Sequence, residues 1–206
     1  MTISCFAATA SKDIPRALGI YAFFLDLVSP SKIGLAGRGP WTDEHLTRAR
    51  EALLDRCNLQ AKVYSSIQFT GNISERDKHP HLTRSLSIEA WPIAPQLFED
   101  ISTSLPLNSV RTYASVLHAS FMLNPPVYVG ITQKQTLRER YNQHRADYQG
   151  GLDVNTFGGR LLASGIEWDD VIFACIPFQE TIDDAITLPK LERHLQAVTT
   201  PILSIR

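Results

Sequence analysis

Short apolar runs alternate along this chain with longer amphipathic stretches. Residues 17–28 (ALGIYAFFLDLV) are dense in aromatic and branched side chains and stop at Ser29-Pro30, a pattern that predicts a buried strand. Residues 33–40 hold three glycines and predict a turn or a second short strand. Thr42 is a good N-cap, and Asp43 and Glu44 suit the positive end of a helix dipole. Leu46, Ala49, Leu53 and Cys57 then follow helical spacing as far as Asn58. Over residues 62–71, Val63, Ser65, Ile67 and Phe69 alternate as in a strand, residues 72–81 read as a charged loop, and Leu86, Ile88 and Ala90 alternate again until Pro92. A short helix is expected over residues 95–105, with Leu97, Phe98 and Ile101 inward. Asn108 can cap another that carries Val110, Tyr113, Leu117 and Phe121. Asn124-Pro125-Pro126 breaks the chain.

The remainder repeats the alternation more compactly. Val127 to Ile131 predicts a short strand, followed by a polar turn and a basic helix. That helix has Leu137 and Tyr141 on its apolar face and Arg138, Arg140, His144 and Arg145 around it. Gln149-Gly150-Gly151 is a turn, residues 157–164 a short helix or its approach, and residues 171–176 a continuous apolar strand. Residues 188–198 form a helix with Leu188, Leu191 and Leu195 on one side and Glu192 beside them, before an extended tail over 201–206. The expected class is α/β in the mixed, α+β sense: a small central sheet flanked by helices. Residues 1–124 would form an N-terminal α/β portion suited to substrate recognition, and residues 125–206 a second portion. Residues 17–28 are a candidate first strand for the sheet of that second portion.

Composition narrows the partners. Of 206 residues, 44% are apolar and 20% charged, ordinary for a globular chain, and the net charge is −1. A protein that coats long duplexes carries a large basic excess, so any phosphate-binding surface here must be local. Cys5, Cys57 and Cys175 are scattered without metal-ligand spacing, which favours reduced thiols. No apolar run approaches a membrane span, and the opening MTISCFAATASKDIPR is too polar for a secretory signal. A soluble, cytoplasmic protein without membrane contact is the expectation.

The residues with most chemistry lie in Tyr128-Val129-Gly130 and the helix after it, where Leu137, Arg140 and His144 stand in the spacing L-x-x-R-x-x-x-H. This stretch resembles the second half of the GIY-YIG nuclease family. Two further pieces match in order: FGGRLLASGIEWDDVIFACI (residues 157–176) is similar to the family's middle helix and third strand. LERHLQAVTTPILS (residues 191–204) resembles its closing segment. The resemblance implies a divalent-metal-dependent endonuclease acting on DNA phosphodiester bonds with Mg²⁺ or Mn²⁺. It implies Glu192 as the carboxylate metal ligand, Arg140 as the stabiliser of charge on the phosphoryl oxygens, and Tyr128 as the residue that orients or activates water. His144 would contact phosphate or assist proton transfer. A restriction or defence role suits a stand-alone chain without a long basic tail, and cutting both strands would require a homodimer or two events. The alternative is a catalytically inactive nucleic-acid-binding module on the same fold.

The family's GIY triplet normally lies shortly before YIG, yet the only such triplet here is Gly19-Ile20-Tyr21, far upstream. Either residues 29–124 are inserted between two neighbouring strands, which would bring Tyr21 into the site as the general base, or the triplet is a coincidence. A third pairing, with Lys32-Ile33-Gly34 in the place of YIG, is also open. The tail has Ser204 where the family often has asparagine. Each residue also has an ordinary reading. Tyr128 can cap a core strand, Arg138, Arg140 and Arg145 can form a solvated face, and Glu192 can be an exposed carboxylate beside Arg193 and His194. Glu167, Asp169 and Asp170 can cap the approach to the last strand. His79 and His81 lack a matching ligand cluster and read as loop residues.

Overall fold

The computed structural model describes residues 2–65, 68–74, 83–89, 101, 103–178, 187–199 and 201–203. In chain order the main elements are β1 (Ser4–Ala7), β2 (Gly19–Leu25), α1 (Asp43–Ser65), β3 (Gln68–Ser74) and β4 (Thr83–Glu89). They continue with α2 (Val110–Ala119), β5 (Tyr128–Ile131), α3 (Leu137–Gly150), α4 (Phe157–Ala163), β6 (Val171–Pro177) and α5 (Thr187–Thr199). The fold is mixed α+β. The chain forms two compact units: Met1–Lys32 together with Thr112–Arg206, and Ile33–Arg111.

The first unit is built on a four-stranded sheet in the order β1-β6-β2-β5, in which every neighbouring pair is antiparallel. Side chains alternate across a strand, so Tyr21, Phe23 and Leu25 share one face of β2. Tyr21 lies opposite Gly130 of β5 and Cys175 of β6, and Phe23 lies opposite Tyr128 and Phe173. On this face Phe23 meets Tyr141 of α3, Phe157 of α4 and Trp168 at ring separations of 4.7 to 6.1 Å. Tyr141, which is wholly buried, accepts the Trp168 indole N–H at 3.0 Å and donates its own proton to the carbonyl of Ala8. An aromatic core of this size holds the helices on the sheet, and its two polar tips are both bonded.

Local chemistry sets the ends of the helices. Thr136 and Glu139 form a reciprocal capping box at the start of α3, and Thr156 caps α4 by accepting from the backbone N–H of Gly159. The glycines of α4 are there for space. A methyl group on Gly158 would stand 2.5 Å from the carbonyl oxygen of His144, and one on Gly159 would stand 2.0 Å from that of Asp153. Arg138 donates to the carbonyls of Ile14 and Lys12.

In the second unit α1 runs seven residues beyond the expected Asn58, through the start of the stretch expected as a strand. Ala49, Leu53, Cys57 and Val63 are all buried along it, so helical packing overrides the alternation of Val63 and Ser65. Strand structure begins at Gln68, and β3 and β4 pair as an antiparallel hairpin. The glycine-rich stretch after Ile33 forms turns rather than a strand, with Gly34, Gly37 and Gly39 at positive φ. Arg111 braces it by donating to the carbonyl of Gly37 and lying over the Trp41 ring. Asn108 sits inside a short 3₁₀ turn rather than capping α2. His79, His81, most of the helix expected over 95–105, and Ser204 lie outside the described residues.

Among the described residues no helix is long and apolar enough to cross a membrane, and all three cysteines are free thiols. The approach of α4 to α3 gives a direct test of the packing. Gly158→Ala should lower the unfolding free energy by about 1–3 kcal/mol, the cost of forcing a methyl group into close-packed backbone, as read from urea denaturation.

Candidate active site

The site grows from the pairing of β2 with β5. Gly19 closes one end: its backbone N–H donates to the Thr132 hydroxyl at 2.7 Å, and its carbonyl accepts the Thr132 backbone N–H at 2.9 Å. No side chain fits at Gly19, because a methyl group there would lie 2.4 Å from the carbonyl oxygen of Ile176. One step along, the Tyr21 ring lies across Gly130, where a methyl group would stand 2.5 Å from the tyrosine oxygen. Gly130 thus lets a tyrosine of β2 lie across β5 with its hydroxyl over that strand.

Four side chains meet there. The Tyr21 hydroxyl accepts a hydrogen bond from Arg140 Nε at 3.1 Å and lies 2.9 Å from His144 Nε2. Tyr128 is a hydrogen-bonding neighbour of both Tyr21 and Arg140, and the two tyrosine rings are 6.0 Å apart. Arg140 also donates to Gln143 Oε1 at 2.7 Å, yet a guanidinium has more N–H donors than these partners use. Leu137, Tyr141 and His144 form the buried stripe of α3, so His144 points into the core rather than lying on the helix surface. Tyr21, Phe23, Tyr128 and Phe157 surround its ring.

Burial decides the protonation states. His144 is 2% exposed, and desolvation first, then the cations of Arg140 and Arg160, push its pKa down to about 3. It is a neutral imidazole at any ordinary pH. Its Nδ1 is buried and has no hydrogen-bond partner among the described residues. An unmet lone pair there is cheaper than an unmet N–H, so the proton belongs on Nε2, which donates to Tyr21. Burial also raises the Tyr21 pKa, Tyr128 adds to the rise, and Arg140 opposes it. Tyr128 is the more exposed of the two phenols.

Glu192 approaches from α5. Its carboxylate accepts the backbone N–H of Ile131 and lies within electrostatic reach of Arg140, while half-burial raises its pKa overall. Tyr21, Tyr128, Arg140 and His144 therefore gather over β5, and Glu192 reaches the strand at Ile131 within electrostatic range of Arg140. A cleft of about 370 Å³ opens beside them, lined by Ile131, Thr132, Gln133, Lys134, Gln135 and Arg140. Among the described residues no group of three or more His, Cys, Asp or Glu side chains is disposed to hold a metal ion.

Other candidates fall elsewhere. Lys32 is bound to Asp170 at 2.9 Å and its neighbours form turns, so Lys32-Ile33-Gly34 is not a strand beside Gly19-Ile20-Tyr21. Asp170 is buried in that pair rather than solvating the approach to β6. Arg145, with Glu167 and Asp169, lines a separate pocket. One residue of the site's surroundings, Arg160, went unread. Its signal in the sequence is an arginine set between two glycines and two leucines, where an unpartnered cation would be costly.

The depressed His144 pKa makes stability depend on pH. The unfolded chain takes up a proton below the ordinary value of 6.5, while the folded chain resists until about 3, so stability falls as pH drops through that window. Between pH 7 and pH 5 the wild type should lose about 2 kcal/mol more than His144→Gln in urea unfolding at the two pH values. No family model matches the chain, and neither a curated protein nor a solved structure matches it.

Proposed function

We propose that this chain is a divalent-metal-dependent endonuclease of the GIY-YIG kind, hydrolysing DNA phosphodiester bonds. The observation that carries the proposal is the pairing of β2 with β5, which sets Tyr21 and Tyr128 side by side against Arg140, with Glu192 reaching the same strand end. An arginine that lines an open cleft, with two phenols against it and a carboxylate within its electrostatic reach, suits an anionic substrate and water-mediated displacement better than a purely structural cluster.

The donor set fits Mg²⁺ or Mn²⁺ held by Glu192. A hard cation of this kind commonly binds through one or two carboxylates and keeps several waters, and among the described residues Glu192 has no cation within salt-bridge distance, so it gains from such a partner. When bound, the metal would supply electrostatic stabilisation of the phosphate and the leaving oxygen.

The side chains divide the remaining work. Arg140 donates its free N–H groups to the non-bridging oxygens, where charge builds as water attacks phosphorus. Tyr128, the more exposed phenol, orients the attacking water, whose proton passes to solvent as the bond to phosphorus forms. Tyr21 keeps Tyr128 and Arg140 in register, since its oxygen accepts from Arg140 and from His144. Burial keeps Tyr21 a neutral phenol, so its part is to position its neighbours rather than to carry charge. His144 acts as a neutral donor in this scheme. The 3′ oxygen leaves with the bond electrons and takes a proton from solvent.

Purified protein incubated with supercoiled plasmid and Mg²⁺ or Mn²⁺ should nick or linearise it. Glu192→Gln should abolish cleavage, and Arg140→Ala should slow it by at least about a hundredfold, the usual loss on removing one donor to a developing oxyanion. Absence of cleavage by the wild type with both metals, or cleavage at the wild-type rate by the two variants, would overturn the nuclease proposal. Duplex binding without cleavage would establish the inactive binding module instead.

A further inference from the structure

β5 is an edge strand, and its outer rim is covered at three successive outward positions. The backbone N–H of Leu203 donates to the carbonyl of Val127 at 2.8 Å, and Gln196 Nε2 donates to that of Val129 at 3.4 Å. The N–H of Ile131 goes to Glu192. The spacing is matched: two strand residues rise about 6.6 Å and four helix residues about 6 Å, so Glu192 and Gln196 meet the rim in step. Glu192 is the last link of a closing segment that runs along the strand from Leu203.

Arg160 holds the other end. Its Nε donates to the carbonyl of Leu203 at 2.6 Å, and its Nη1 donates to the carbonyls of Val154 and Asn155, both at 3.0 Å. We infer that Arg160 is a positioning residue of the site, its guanidinium pinning the closing segment to the rim of β5 and thereby setting where the Glu192 carboxylate stands. The planar fork explains the residue type: it serves three carbonyls from two sequence segments at once, and a lysine ammonium cannot reproduce that geometry. Its charge also acts on Tyr128 and His144, which ties the brace to the same cluster. The inference rests on the proposed nuclease site, because the placement of Glu192 matters there only if it holds a cation.

Arg160→Gln and Arg160→Lys, with the wild type beside them, separate bracing from mere stability. Titration with Mn²⁺ alone, followed by calorimetry, should show roughly tenfold weaker binding in both variants, as for loss of a residue that orients a metal ligand. On plasmid DNA, kcat should fall about as far while KM stays within about twofold. The His144 ring faces Tyr21, Tyr128, Arg140 and Arg160. Its proton resonance should therefore titrate at higher pH in the glutamine variant and keep its wild-type midpoint in the lysine variant, which retains the charge. A general loss of stability would not produce that split. Should the glutamine variant fail to fold, the lysine variant decides by metal affinity and kcat. Wild-type Mn²⁺ affinity and kcat in the folded variants would overturn the inference and leave the nuclease standing. A wild type that neither binds Mn²⁺ nor cuts DNA would overturn both.

Discussion

The Tyr21 ring lies across Gly130 because there is no Cβ to stop it, and the rest of the first unit is arranged around that crossing. The register that puts Tyr21 opposite Gly130 also puts Phe23 opposite Tyr128. Side chains of period two then deliver both phenols to the face that α3 covers. Shifting the pair by one residue would turn Tyr21 to the other face and put Ile20 in its place. Thr132 guards against such a slip, since it bonds Gly19 through both its backbone and its hydroxyl.

From this crossing the electrostatics follow. An arginine and a histidine of one helix converge on one phenolic oxygen, in a space lined by Phe23 and Phe157. Desolvation is stronger than the neighbouring charges here. It holds His144 neutral and works against ionisation of Tyr21. Glu192 lies nearer solvent and is perturbed less, and its backbone partner on Ile131 and the charge of Arg140 both oppose the effect of burial.

The same economy of space governs the scaffold. Gly19, Gly130, Gly158 and Gly159 stand where backbone or ring atoms come closer than a methyl group permits. They let β2 lie against β6, Tyr21 against β5, and α4 against α3 and the preceding loop. Arg160 leaves that tight corner to hold Leu203, so the packing of α4 and the closing of the β5 rim are mechanically one feature.

Sequence periodicity alone determined the strands β2, β5 and β6, the helices α3, α4 and α5, and the mixed class, because each carries an apolar pattern of the right period or a recognisable cap. It also offered Tyr128, Arg140 and Glu192 as candidates, through the resemblance of their segments to the GIY-YIG family. Tertiary structure alone decided three matters. It made the distant Gly19–Leu25 strand the neighbour of Tyr128–Ile131, a pairing that no local pattern encodes because the intervening residues separate the two in sequence. It turned His144 inward: Leu137, Tyr141 and His144 form one helical stripe, but a histidine reads as polar until the aromatic rings around it are known. It gave Arg160 its partners, which are backbone carbonyls, and a carbonyl leaves no mark in the sequence. The resemblance names the candidate side chains, and the strand pairing, with the burial it causes, gives them their neighbours and holds His144 neutral.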